Sequence, residues 1–178
     1  MNNDLSAVSD RLSDEELNDL YKRGNRGNIT EQSRPTLLKI SELSIEYRKL
    51  VFSSAPYRQS TPWTLIQKSR LIESFLLNIP VIPIILYDLS SKADEIIDGE
   101  QRIMAIVDFF TNNFQLEGME SWVELNGMNY KELPEGIRSS LNEKHLWVTT
   151  ILFNPDAEFN SEVIKQNTYE QLNSWRLT

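Results

Sequence analysis

Cysteine is absent from this 178-residue chain. That excludes disulfides, thiolate nucleophiles and cysteine-held zinc or iron–sulfur centres, and nothing points to an oxidising compartment. Histidine occurs once; in Lys144-His145-Leu146-Trp147, His145 reads as the start of a strand rather than as a general base. Long apolar runs are missing too. No stretch approaches the roughly 20 residues that span a bilayer, and Met1-Asn2-Asn3-Asp4-Leu5 is not a basic region leading into an apolar one. No membrane partner is expected, and the expected location is cytoplasmic. Basic residues are outnumbered 18 to 26, for a net charge of −8 and a pI near 4.8. A broad footprint on DNA or RNA is thereby disfavoured, since non-specific affinity comes mainly from neutralising phosphates.

What is present suffices for one domain with a core: 40% of the residues are hydrophobic, too few for two comfortable domains. The charge is unevenly spread. Between Tyr47 and Ile72 there is no acidic residue, while Arg48, Lys49, Arg58, Lys68 and Arg70 all fall there. A local anion site is therefore open despite the acidic whole.

Residues 1–34 form a polar arm with one helix signal, in which Ser13 and Glu16 fit a capping box ahead of Leu17 and Leu20. The arm reads as a loosely packed extension or a partner-binding segment. Residues 35–178 form the main domain. Short strands are expected at Leu37–Ile40 and Leu50–Phe52, flanking a turn of helix at Ser41–Arg48, followed by a loop that carries Tyr57, Arg58 and Trp63. Leu65, Ile66, Leu71, Ile72, Phe75, Leu76 and Ile79 recur at helical spacing until Asn78 and Pro80 end the helix. Val81–Tyr87 reads as a strand covered on both faces, with Pro83 near its start, and Glu95–Ile97 as a second short strand. Ile103, Ile106, Val107 and Phe110 then make a helix. Further on, the pattern predicts a Phe114–Leu116 strand, a Trp122–Tyr130 hairpin turning at Asn126-Gly127, a helix near Pro134, a Leu146–Phe153 strand and a last helix from Ser161. The aromatics Trp122, Tyr130, Trp147 and Phe153 read as core, whereas Trp63 is the one expected to stack on a ligand. The alternation indicates a mixed α/β, or α+β, domain with a small sheet.

Asp98-Gly99-Glu100-Gln101-Arg102 sits where a strand turns into a helix. Such a junction aims backbone N–H groups and the positive end of the helix dipole at one spot outside the sheet. Gly99 permits close approach of a bulky oxyanion, and Arg102 offers a planar fork of donors. Asp98 and Glu100 would repel a bare phosphate, so they make most sense holding a divalent metal, orienting a water or binding a ribose hydroxyl. The same residues also fit an ordinary Asp-Gly turn with Glu100 in a first helical turn.

The run Ile97-Asp98-Gly99-Glu100-Gln101-Arg102-Ile103 through Phe110 resembles the signature of the DGQQR family, which includes the N-terminal domain of GmrSD-type modification-dependent restriction proteins. Trp63, the segment Leu71–Pro80 and Pro83 resemble the family's upstream pattern. Phe114-Gln115-Leu116, Leu125-Asn126-Gly127 with Leu133-Pro134, and Tyr169–Ser174 resemble its downstream one. The resemblance implies a ParB/sulfiredoxin-like fold, a small mixed sheet flanked by helices, and a nucleotide-hydrolysing role in anti-phage defence by restriction of foreign DNA. It also implies a site in which Gly99 to Arg102, Gln101 among them, contact phosphate, with Tyr57, Arg58 and Trp63 in the matching upstream segment; on the residues themselves, Arg58 or Arg70 is expected to assist. Asp98, Glu100 and Arg102 are then the catalytic candidates, with Asp98 toward a metal and a nucleoside triphosphate with Mg²⁺ as the cofactor. Two positions depart from the family pattern: Arg58 and Gln59 are exchanged, and Glu100 stands where Gln is usual. A carboxylate beside phosphate could cost about 1 kcal/mol or more if unpaired in a partly dry site, which makes binding a firmer expectation than turnover. No nuclease active site of the HNH type is visible in the 178 residues.

Three classes are open on this reading. The first is a domain that binds, and in the family hydrolyses, a nucleotide. The second is an interaction module for a separate effector or nuclease, or for a second copy of itself. The third, weaker class is a reader of modified DNA using the basic stretch.

Overall fold

A computed structural model describes residues 13–25, 33–47, 50–52, 61–88, 93–152 and 161–174. Tyr57, Arg58 and Phe153 lie outside them. Among the described residues five strands form one mixed sheet. They are β1 (Ser33–Lys39), β2 (Leu50–Val51), β3 (Ile84–Asp88), β4 (Asp94–Asp98) and β5 (His145–Ile151), in the order β1-β5-β3-β4-β2. β1 and β5 are antiparallel, as are β3 and β4, whereas β3 runs parallel to β5 and β2 parallel to β4. The helices are α1 (Asp14–Asn25), α2 (Ile40–Glu46), α3 (Leu65–Leu76), α4 (Glu100–Phe110), α5 (Glu135–Asn142) and α6 (Ser161–Ser174). The mixed α/β architecture is the one expected.

The sheet has two unequal faces. On the inner face Ile84, Leu86, Ile96, Leu146 and Val148 join α2, α3 and α4 in the main core through Ile40, Ile72, Phe75, Ile103, Ile106 and Phe109. On the outer face a small cluster of Tyr87, Ile97 and Ile151 lies under α6, with Ile164 and Tyr169 packed against it. A buried ion pair pins α6 there: Lys165 Nζ lies 2.6 Å from Glu95 Oε2 and also meets Glu162.

Local chemistry sets the element ends. Thr64 and Gln67 cap α3 reciprocally: the Thr64 hydroxyl accepts the Gln67 N–H at 3.3 Å, and Gln67 Oε1 accepts the Thr64 N–H at 2.9 Å. That satisfies two donors which the first turn cannot pair internally. α3 stops at Leu76, before Asn78 turns left-handed at φ 57°. β3 begins at Ile84 rather than Val81, because Pro80 and Pro83 have no N–H to give a ladder. β1 begins at Ser33, earlier than the apolar pattern suggests, since its partner β5 supplies the pairing as far as Ser33 opposite Ile151.

Two expected elements are not formed. Phe114–Leu116 is no strand, and Trp122–Tyr130 is no hairpin: Val123–Leu125 and Tyr130–Glu132 are 3₁₀ turns. Leu116 N–H still donates to Met128 O at 2.9 Å, and Gly127 N–H to Leu116 O at 2.8 Å. The amides of residues 120–122, however, are drawn to a side chain instead of a ladder. Tyr130 is core, as expected, against Phe109 and Phe110. Trp122 and Trp147 are not; both are exposed.

Candidate functional site

α3 explains how the loop after α4 is held. Glu73 is inward-facing, between the buried Ile72 and Phe75. Its Oε1 accepts the N–H groups of Glu120, Ser121 and Trp122 at 3.0, 2.7 and 3.1 Å, while Arg70 Nη1 donates to Oε2 at 2.7 Å. Burial pushes the Glu73 carboxyl up, but Arg70 and the three amides outweigh it, and the net direction is below the usual carboxylate value. Arg70 also pairs with Glu120. The guanidinium expected at a phosphate is thus turned to Glu73 and Glu120. Sequence reading missed Glu73; a carboxylate on the apolar face of a helix was the signal.

β4 ends at Asp98 and α4 starts at Glu100, with Gly99 between them at φ 105°, ψ 9°. That conformation favours glycine. A Cβ at Gly99 would lie 2.9 Å from Ile84 Cγ1 and 3.1 Å from Arg102 Nη2, so the turn also needs glycine for space. Gly99 is the N-cap without a side-chain cap, and its carbonyl accepts the Ile103 N–H at 3.0 Å. The first turn of α4 therefore opens directly from the sheet end, with the dipole's positive end there.

Arg102 and Asp98 stand on either side of the Gly99 turn, and both are buried. Arg102 Nη2 donates to Asp98 Oδ2 at 2.6 Å and to the Pro83 carbonyl at 3.2 Å. Its Nε is buried and has no hydrogen-bond partner. Native structures rarely leave a buried donor in that state. Gln101 looks the other way: its Oε1 accepts the Trp63 N–H at 3.0 Å, tying the residues before α3 to the first turn of α4. Trp63 is partly buried against the core. Glu100 is partly exposed.

The structure thus brings Trp63, Asp98, Gly99, Glu100, Gln101 and Arg102 together. Arg70 sits in the Glu73 cluster, and Tyr57 and Arg58 are outside the described residues. His145 opens β5, exposed. Among the described residues no three His, Asp or Glu side chains cluster as a metal cage, and no helix is long and apolar enough to cross a membrane.

Residues 40–177 match a family model described as the GmrSD restriction endonuclease, N-terminal domain. No curated protein and no solved structure gives a significant match.

Proposed function

Since the chain belongs to the family of GmrSD restriction endonuclease N-terminal domains, we propose that it is the nucleotide-binding part of a restriction system, holding phosphates at the Gly99 turn. The observation that carries this is the buried Arg102 guanidinium, whose Nε lacks a partner beside a left-handed glycine at a helix start. An unmet buried donor costs about 1–3 kcal/mol, which a phosphate oxygen would recover. The dipole and amides of the first turn favour the same anion.

In this reading Gly99 keeps the approach clear, Arg102 binds phosphate, Asp98 holds Arg102 in place, and Gln101 positions Trp63. Arg58 is the assisting arginine, because Arg70 is committed to Glu73 and Glu120. The donor set suits a magnesium ion that arrives with the nucleotide, since such ions take one or two carboxylates plus phosphate oxygens. Asp98 and Glu100 are the carboxylates at hand, and the ion would supply neutralisation of phosphate charge. Hydrolysis is the reaction class, with Glu100, the less buried of the two, orienting the attacking water. DNA cleavage would fall to a partner nuclease.

Thermal shift with ATP, GTP, CTP and UTP, each with and without Mg²⁺, tests the reading. A ligand held at 100 times its dissociation constant raises stability by about 2.7 kcal/mol, and Arg102→Lys should reduce the shift. No shift with any nucleotide overturns the proposal.

A further inference from the structure

The sheet end that carries the Gly99 turn also carries a groove. Leu37 and Trp147 stand directly opposite one another in the β1–β5 ladder and are 50% and 51% exposed. With Ile79, Pro80 and Val81 they line an open groove of about 450 Å³. A concave site of that size with a largely apolar lining and a few polar groups is the usual form of a small-molecule subsite. Trp147 offers a half-exposed indole there, whereas Trp63 is packed against the main core.

The strand register fixes how far the groove lies from the turn. Ile84 is opposite Val148 in the parallel β3–β5 pair, and Ile85 is opposite Asp98 in the antiparallel β3–β4 pair. Trp147 precedes Val148 and Gly99 follows Asp98. The two therefore flank the entry to β3 from its two sides, about 10 Å apart, which is two strand spacings. Between them runs the chain at 79–83. On the Gly99 side, a Cβ at the glycine would lie 3.3 Å from Ile84 Cα, and Arg102 Nη2 donates to the Pro83 carbonyl at 3.2 Å. On the far side Ile79, Pro80 and Val81 form the groove wall. Ile82 is 56% exposed, so this partition presents an open apolar crest.

We infer that the groove holds the nucleoside end of the nucleotide whose phosphates lie at the Gly99 turn, with the base stacked on the Trp147 indole. The inference rests on the reading of that turn as a phosphate site. One ligand suits both places: an extended nucleoside triphosphate reaches from Gly99 across Ile82 to Trp147, and it is anionic at one end and aromatic at the other, as the two sites require. Every base has a face that can stack, so the indole supplies affinity without selecting the base. Selection falls to the polar groups of the groove, which are His145 and the Lys144 ammonium that donates to Asn78 Oδ1 at 2.5 Å.

The test uses the full chain and two probes with Mg²⁺: whichever of ATP, GTP, CTP and UTP gives the largest thermal shift, and inorganic tripolyphosphate, which lacks the nucleoside. Affinities are read by calorimetric titration. Trp147→Ala should weaken the nucleotide by about fivefold or more while leaving tripolyphosphate within about twofold. Trp147→Phe, which keeps a stacking face, should restore most of the nucleotide affinity. Arg102→Lys should weaken both probes. If Trp147→Ala weakens neither probe, or both equally, while Arg102→Lys still weakens the nucleotide, the groove is not the nucleoside subsite and the phosphate reading stands. If the native protein binds no nucleotide, both fall together.

Discussion

Arg102 Nη2 stands 2.6 Å from Asp98 Oδ2, joining the last residue of β4 to the first turn of α4 around a glycine that no other residue could replace without displacing Ile84. Both partners are buried, and removing one partner of a buried pair costs about 3–5 kcal/mol because the other charge is left uncompensated. Asp98→Ala and Arg102→Met should each lower the urea midpoint strongly, and the double variant should lose less than the sum of the two. Additive losses in that cycle would show that the pair is not coupled.

Gly99→Ala sets backbone strain against a contact. The residue holds φ 105°, and the new methyl would press on Ile84 and Arg102. We expect a loss of about 2 kcal/mol or more and, on the proposed function, weaker nucleotide binding, because the methyl would also narrow the approach to the turn. A melting temperature within about 1 °C of the native protein would contradict this, since 1 kcal/mol corresponds to about 2–4 °C at this size.

Glu73 gives the protein an acid-sensitive brace. Its folded-state pKa is held below the ordinary value by Arg70 and by the amides of residues 120–122, against the opposing effect of burial. A depressed carboxyl contributes stability that is complete above the unfolded pKa of about 4.3 and is lost as pH falls through the folded value. Glu73→Gln should therefore destabilise at pH 7 by about 1–3 kcal/mol. The gap to the native protein should shrink as pH drops below about 4, read from urea midpoints. A gap that does not change with pH would remove the ionic part of the argument.

Lys165 behaves in the opposite sense. Burial lowers its pKa, but hydrogen bonds to Glu162 and Glu95 raise it more, and the net direction is up. Its contribution is complete below the unfolded value of about 10.4 and is lost as pH rises through the folded one. Lys165→Met should free α6 from β4, seen as faster amide exchange in residues 161–174, while Glu95→Leu added to it should restore much of the protection. Unchanged exchange in the single variant would show that the outer cluster alone holds α6.

Much of the secondary structure was legible in the chain because it follows from local pattern. The helical spacing from Leu65 to Phe75, the strand–glycine–helix junction at Asp98–Arg102 and the last helix from Ser161 all appear as read. The Trp122–Tyr130 segment was misread because Asn126-Gly127 is a hairpin signal only when the flanking amides are available for a ladder. Here Glu73, some 50 residues earlier, takes the Trp122 amide and the two before it, and the Asn126 side chain bonds Met119 and Val123.

The sequence by itself determined the composition of the candidate site, a glycine turn with one arginine and two carboxylates, and the mixed α/β class, since both depend on residue type and periodicity. Tertiary structure alone decided which of these groups is engaged. Arg102 is divided between Asp98, Pro83 and an unmet Nε, Gln101 is turned to Trp63, and Arg70 is taken by Glu73 and Glu120. The reason is physical: a charged side chain's partner is whichever opposite charge or carbonyl the fold brings within about 3 Å in a dry place, and no spacing along the chain records that distance.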